Sequence, residues 1–249
     1  MMLAHAGLEV LETSSAGVMF ARGLPDGDGH ATRDLMLENA RSIAAAVDIP
    51  VTADLENGFG TAPEVVAETI RLAGETGIVG GSIEDTTGDS TDPILPFGLA
   101  VDRIRAAAEA AQRLPFRFAL TARADQYMHK RPDLGEVIRR AQAFHQAGAG
   151  MIMVPGLTGR EEIELLCRSV DCPVAVVVGL SGYRPNLATF GELGVRRVVV
   201  GSSLARIVYT GLAKAAHEMI EAGTFDFTDG LIPFGELNEL FRRLSSTPR

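Results

Sequence analysis

Apolar residues in this chain fall into short β-branched runs. Each run is followed by a polar or glycine-rich turn, then by a stretch with apolar positions at helical spacing. The runs that read as strands are LEVLET (8–13), PVTADLE (50–56), GGSIED (80–85), FRFALTARAD (116–125), MIMVP (151–155), PVAVVVG (173–179) and RRVVVGSS (196–203). Between them, segments 31–47, 62–77, 99–114, 133–148 and 160–170 carry amphipathic helical patterns. Gly77, Gly148 and Gly194 stand where left-handed caps close helices ahead of the next strand. Strands this apolar, alternating with helices, predict a parallel sheet covered on both faces, the α/β class.

Polar residues gather just after the strands: Ser14–Ser15, Asp54 and Glu56, Glu84–Asp85, Arg123 and Asp125, Ser181, and Ser202–Ser203. Charges at the C-terminal strand ends are the mark of a (β/α)8 TIM-type barrel, whose chemistry sits at that mouth. A doubly wound sheet would show a topological switch and a glycine-rich first turn, and neither is evident. The strand count is seven where a closed barrel needs eight, so the first strand and most of its helix are missing from the pattern. MMLAHAG reads as the middle of a helix, and the expectation is that residues upstream of Met1, or a partner subunit, cover the exposed edge of LEVLET. No linker, solenoid-length repeat or low-complexity tract interrupts the chain. It reads as a single (β/α) barrel domain over 1–249, with 205–249 as a C-terminal helical extension.

Composition narrows the function classes. Hydrophobic residues are 46% and charged residues 22%, an ordinary globular balance, and 32 acidic against 23 basic residues give a net charge of −9. With no Lys/Arg run, a nucleic-acid partner is not expected. Cys167 and Cys172 lack CxxC spacing and a nearby His, so neither a disulfide framework nor a zinc site is read here. The N-terminus has no basic n-region followed by an apolar run, and no stretch approaches the ~20 apolar residues of a membrane span. The expectation is a soluble cytoplasmic protein acting on a small molecule.

Asp54 and Glu56 are two apart in a strand pattern and so share a side. Glu84, ending the next strand, falls beside them. Three convergent carboxylates repel unless a cation lies between them, and all-oxygen ligation selects Mg²⁺ or Mn²⁺. The competing reading makes Asp54 and Glu84 helix caps or solvated charges. Arg123 is placed to bind a carboxylate or phosphonate bidentately, or to form an internal salt bridge with Asp125 or Glu84. The Ser14–Ser15–Ala16–Gly17 turn offers hydroxyls and N–H groups to an anion, or is a plain strand-to-loop turn. VVVGSSLAR reads as a barrel phosphate loop, or as a helix capped by Ser202 or Ser203.

TSSAG…GLPDGD, ADLENGFG, GSIEDTTGD, LTARAD and VVVGSSLAR, in this order over about residues 8–210, strongly resemble the isocitrate lyase/phosphoenolpyruvate mutase superfamily. The resemblance implies a (β/α) barrel whose last helix is exchanged between subunits of a homodimer or homotetramer. It makes Asp54 the direct Mg²⁺ ligand, Glu56 and Glu84 the holders of its waters, and Asp26 an acid on a mobile loop near the metal. Arg123 becomes the substrate-binding arginine, and Ser14, Ser15 and Ala16 the grip on a substrate carboxylate or phosphonate. Arg123, Asp26 and Glu84 are thereby the implied catalytic residues, and 86–98 the gating loop.

The departures from the family pattern are on that loop, which lacks the KKCGH-type motif of isocitrate and methylisocitrate lyases and the Lys and Asn of phosphoenolpyruvate mutase. What remains resembles the oxaloacetate-decarboxylase-like and dimethylmalate-lyase-like branch. It implies a Mg²⁺-dependent carbon–carbon lyase, a decarboxylase or retro-aldol enzyme, acting on a small 2-oxo- or 2-hydroxy-carboxylate through an enolate. Water, Tyr127, His129 or a lid residue are the candidates to protonate that enolate, while His5, His30, His145 and His217 read as structural or surface residues. One rival is a phosphonate enzyme of the same superfamily, a mutase or phosphonopyruvate hydrolase, against which the missing Lys and Asn weigh. The other is an inactive binding homologue. An acid cluster kept without a cation would cost stability, which argues against it.

Overall fold

A computed structural model describes residues 1–180 and 183–246. Its sheet holds seven parallel strands in chain order: β1 (Leu11–Glu12), β2 (Val51–Asp54), β3 (Gly80–Glu84), β4 (Ala119–Arg123), β5 (Met151–Met153), β6 (Val174–Val177) and β7 (Val195–Val199). Parallel strands in unbroken sequential order, joined by helices, are the topology of a (β/α) barrel. The helices are α1 (Met2–His5), α2 (Ser15–Ala21), α3 (Arg33–Ala44), α4 (Pro63–Ala73), α5 (Phe97–Gln112), α6 (Leu134–Gln146), α7 (Arg160–Ser169), α8 (Leu187–Glu192), α9 (Ser203–Glu221) and α10 (Phe234–Ser246).

β1 and β7 are the two edges of the sheet, yet they curl to within side-chain reach of one another. Arg197 on β7 donates to Thr52 Oγ1 on β2 (2.8 Å) and lies 3.3 Å from Glu12 Oε2 on β1. The result is a curled barrel lacking one strand between β7 and β1, as the seven-run pattern predicts. LEVLET contributes only Leu11 and Glu12 to the ladder, because an edge strand has a partner on one side alone. The run at 116–125 likewise shortens to Ala119–Arg123.

Local chemistry explains where the helices begin and end. Thr32, Asp133 and Asn186 accept from the N–H of Leu35 (3.4 Å), Glu136 (3.0 Å) and Thr189 (2.9 Å) as N-caps. Pro63 sits at the first position of α4, where its missing N–H costs nothing. Gly77, Gly148 and Gly194 have φ of 87°, 111° and 96°, the left-handed values their sequence positions predict. The core joins strand residues such as Val51, Ile83 and Ile152 to helix residues such as Ile70, Ile104 and Phe144. Each large buried side chain contributes roughly 1.5–3 kcal/mol. By contrast, α9 buries none of its residues, and Ile207, Val208 and Leu212 are exposed. No helix is long and apolar enough to cross a membrane among the described residues.

Gly80 sets the spacing of the sheet. A Cβ there would lie 2.5 Å from Ala119 O and 2.9 Å from Ala119 Cβ, so β3 and β4 could not keep their register. Gly80→Ala is therefore expected to destabilise by roughly 1–3 kcal/mol in urea denaturation. Gly98→Ala, with open space around the added methyl, should leave the midpoint unchanged or slightly raised. Equal effects of the two substitutions would refute this packing.

Candidate active site

The C-terminal strand ends open into a cavity of about 930 Å³, lined by Ser14, Ser15, Ala16, Asp26, Asp54, Glu56, Glu84 and Arg123 among others. Each candidate site residue of the sequence reading thus reaches one place, although the local reasons differ from those expected.

Asp54 ends β2, its N–H donating to Thr13 Oγ1 (3.1 Å). Glu56 does not reach the cavity by strand alternation, because β2 stops two residues earlier. It sits at φ 52° in a turn where its N–H donates to Asp54 Oδ1 (3.2 Å), and its carbonyl accepts from Glu84 N (2.9 Å). Neither Asp54 nor Glu84 caps a helix, since Ala62 and Pro96 hold those positions in α4 and α5. The Ser14–Gly17 stretch is the start of α2 rather than an open turn. Ser14 is its N-cap, accepting from Gly17 N (3.3 Å), and Ser15 Oγ donates to Asp54 Oδ2 (3.3 Å).

Arg123 lies in the middle of the acids. Its Nη1 is 2.6 Å from Glu84 Oε1 and 3.4 Å from Asp54 Oδ1, and its Nη2 is 2.7 Å from Asp125 Oδ1. The internal salt bridge is therefore made, and with both expected partners. Burial alone would lower the arginine's affinity for its proton, but Asp125, Glu84 and Asp54 outweigh it and hold the guanidinium firmly charged. Burial raises Glu84 well above the usual carboxylate range, with Arg123 opposing. Burial and then the charge of Asp54 push Glu56 up to about 7. Asp26 is raised too, first by burial, with Ser15 hydrogen-bonding against the shift.

Among the described residues, no group of three His, Cys, Asp or Glu side chains is preassembled to hold an ion. Glu84 and Asp54 are turned to Arg123, while Glu56 Oε1, Glu12 Oε2 and Asp125 Oδ2 are buried carboxylate oxygens of the cavity lining with no hydrogen-bond partner. Tyr127 does not line the cavity. Its hydroxyl donates to Glu162 on α7 (2.8 Å), whereas the exposed His129 is on the rim. Ser202 is the N-cap of α9, but its side chain makes no capping bond and lines the cavity. Ser181 lies outside the described residues. Cys167, pushed by burial to about 11, and Cys172, also raised by burial, are free thiols off the cavity.

Two buried arginines that sequence reasoning passed over hold the site's frame. Arg103 on α5 donates to the carbonyls of Asn57, Gly60 and Thr61, pinning the loop that follows Glu56. Arg140 on α6 donates to Asp85 Oδ2 (3.0 Å) and Leu95 O (2.9 Å). Asp85 in turn accepts from Asp125 N (2.9 Å) and Gln126 Nε2 (3.1 Å). The base of the 86–96 loop is thereby tied to the residue that holds Arg123. The loop itself is pinched by a Thr86–Ile94 bridge, and Gly98, expected at its end, belongs to α5. The available sequence signal was a charge standing in an apolar stripe: Arg103 among Ala100, Ile104 and Ala107, and Arg140 among Val137, Ala141 and Phe144.

Known proteins share this sequence pattern and fold. The phosphoenolpyruvate phosphomutase family model matches residues 1–220. An uncharacterized protein of Mycobacterium tuberculosis (strain ATCC 25618 / H37Rv) is 32% identical over 93% of this chain and 83% of its own. Oxaloacetate decarboxylase 1 of Pseudomonas putida (strain W619) is 29% identical over 74% of this chain and 62% of its own length. A solved structure from Burkholderia cenocepacia J2315, provisionally assigned as a lyase or mutase, is 48% identical. It superposes with a TM-score of 0.93 over 96% of this chain and 85% of that one.

The acid cluster has a measurable consequence. Glu56 at about 7 and Asp85 at about 6 (burial first, then Asp125) hold protons that the unfolded chain releases nearer 4. Their contribution to stability is complete below about pH 4 and is lost as pH rises through 6 and 7. With divalent cations chelated, urea stability should fall on the order of 2 kcal/mol from pH 5.5 to 8. Saturating Mg²⁺ at pH 8 should restore it, because the cation favours the charged acids. A chelated protein whose stability is flat or rising over that window would contradict this electrostatic picture.

Proposed function

The chain belongs to the isocitrate lyase/phosphoenolpyruvate mutase superfamily, whose members are lyases and mutases, and on that premise we propose a divalent-metal-dependent carbon–carbon lyase of small 2-oxo- or 2-hydroxy-carboxylates. The observation that carries the reading is Glu56 Oε1, a buried carboxylate oxygen without a partner in a cavity it shares with Asp54 and Glu84. An oxygen donor set with no Cys or His fits a hard cation that keeps several waters. Asp54 would hold the ion, with Glu56 and Glu84 holding its waters. When bound, the cation supplies Lewis acidity to the 2-oxo group and offsets the charge of the acids.

The rest of the chemistry falls to the chain's own groups. Breaking the C3–C4 bond of a 2-oxo acid, with C4 leaving as carbon dioxide or as a carbonyl compound, puts the electron pair into a C2–C3 enolate, and Arg123, kept charged by its three acids, stabilises the negative oxygen. A preorganised donor of this kind is worth roughly 3–4 kcal/mol of barrier. Ser15, hydrogen-bonded to Asp54, and Asp26 position the head of the substrate at the β1–β2 side. Because Tyr127 is engaged by Glu162 outside the cavity, the enolate's proton comes from water or from the rim, where His129 stands.

Oxaloacetate, 2-methylmalates, methylisocitrate and phosphonopyruvate assayed with and without Mg²⁺ test the reaction class. Asp54→Ala is expected to abolish Mg²⁺-dependent turnover while the protein stays folded. Unchanged Mg²⁺ affinity in that variant would contradict the assignment. No cleavage of isocitrate or methylisocitrate at a typical enzymatic rate (about 1 s⁻¹ or more) is expected, since the 86–96 loop carries no Cys.

A further inference from the structure

Glu56 owes its place in the cavity to a strained turn. Between Glu56 and Phe59 three residues have left-handed backbone: Glu56 (φ 52°), Gly58 (φ 74°) and Phe59 (φ 62°). Two of the three carry side chains, and such conformations persist only where the surroundings over-determine them. Upstream, the sheet fixes the turn through Asp54 Oδ1 and Glu84 N. Within it, Asn57 Oδ1 accepts from Phe59 N (3.0 Å), and Gly58 O accepts from Thr69 Oγ1 on α4 (2.8 Å). Downstream, the carbonyls of Asn57, Gly60 and Thr61 all accept from Arg103 on α5, the last at 2.9 Å.

Arg103 is 1% exposed and does not line the cavity. Among the described residues its hydrogen bonds go to backbone carbonyls alone and to no carboxylate. A cation buried in this way contributes little net stability, because the cost of desolvating it offsets its bonds. What it gives that an apolar side chain could not is direction. Its donors lie in one rigid plane and can fix three carbonyls at once.

We propose that Arg103 is the positioning residue of the cation site: by holding residues 57–61 it keeps Glu56 in its left-handed conformation, and so sets the affinity for a divalent ion that it does not touch. This rests on the metal-dependent reading above and deepens it. Without Arg103 three carbonyls lose their donor, the turn relaxes, and the Glu56 carboxylate withdraws from Asp54 and Glu84. Arg123 on β4 and Ser14–Ser15 at the start of α2 are carried by other elements and keep their places. Partners that act on a metal through its ligands typically change affinity by about 10- to 100-fold.

Titration of the intact chain with Mn²⁺, read by the electron paramagnetic resonance of the free ion, tests this with Arg103→Met, Arg103→Lys and Leu166→Ala. Each variant is first shown to be folded by its urea transition. Leu166 is buried on α7 and does not line the cavity, so its truncation weakens the core without removing a bond from the turn. Arg103→Met should bind Mn²⁺ about 10- to 100-fold more weakly. Arg103→Lys should recover part of that loss, and Leu166→Ala should bind like the wild type. At saturating Mn²⁺, oxalate should bind all of them alike. Wild-type Mn²⁺ affinity in Arg103→Met overturns the proposal, and so do equal losses in Arg103→Met and Leu166→Ala. If Arg103→Met does not fold, Arg103→Lys decides. One ammonium cannot span three carbonyls, so affinity should still fall, and a wild-type value overturns the proposal. A wild-type chain that binds no Mn²⁺ fails the metal-dependent reading itself, and this inference with it.

Discussion

A single buried guanidinium holds the active-site mouth together. Four acids from three neighbouring strands converge there, and at such spacing carboxylates repel one another strongly in a medium that screens poorly. Arg123 meets Glu84 at 2.6 Å and Asp125 at 2.7 Å, with Asp54 further off at 3.4 Å. Without it the cluster would hold protons or move apart. With it, Glu84 and Asp54 are largely answered, and Glu56, which has no ion pair to Arg123, keeps a buried oxygen without a hydrogen-bond partner, as do Glu12 and Asp125. The asymmetry gives the site a fixed positive charge beside a place where a mobile cation and an anionic head group can be held.

That balance depends on backbone placed to a few tenths of an ångström. Glu56 points into the cavity only because its φ is 52°, a conformation a glutamate rarely adopts by itself. Arg103 supplies the compensation, satisfying three carbonyls of the loop immediately downstream. Arg140 and Asp85 do the same for the other side, linking α6, the 86–96 loop and Asp125. A buried cation bonded to backbone carbonyls is expensive to desolvate, so its place in a helix's apolar stripe marks a loop that must not move.

Much of this was legible in the residues. Alternating apolar runs placed all seven strands, and polar residues at their C-terminal ends located the mouth. Asp54, Glu84 and Arg123 follow from strand-end position and from in-register pairing, where Glu84 stands beside Arg123. Glu56 was found for an incomplete reason, since period two cannot foresee a left-handed turn. Ser14 and Ser15 read as a loop because a seven-residue helix gives too short a pattern to be seen. Tyr127 was a proton-donor candidate on sequence proximity alone, and its bond to Glu162 on α7 depends on helix packing that no local pattern encodes. The framework arginines are not legible from the strand ends, because each stands in the apolar stripe of a helix and the loop carbonyls or the Asp85 carboxylate it holds lie about 40 or more residues away in sequence.

The convergence of acids at the ends of β2 to β4 around Arg123 connects the scaffold to its proposed chemistry. The most direct test is diffraction from crystals soaked with Mn²⁺ and oxalate, a stable mimic of the pyruvate enolate, using the manganese anomalous signal. The expected result is one strong peak beside Asp54 with Glu56 and Glu84 around it, and oxalate facing Arg123. Manganese bound elsewhere, or no peak at this cluster with the ion in excess, would contradict the central claim.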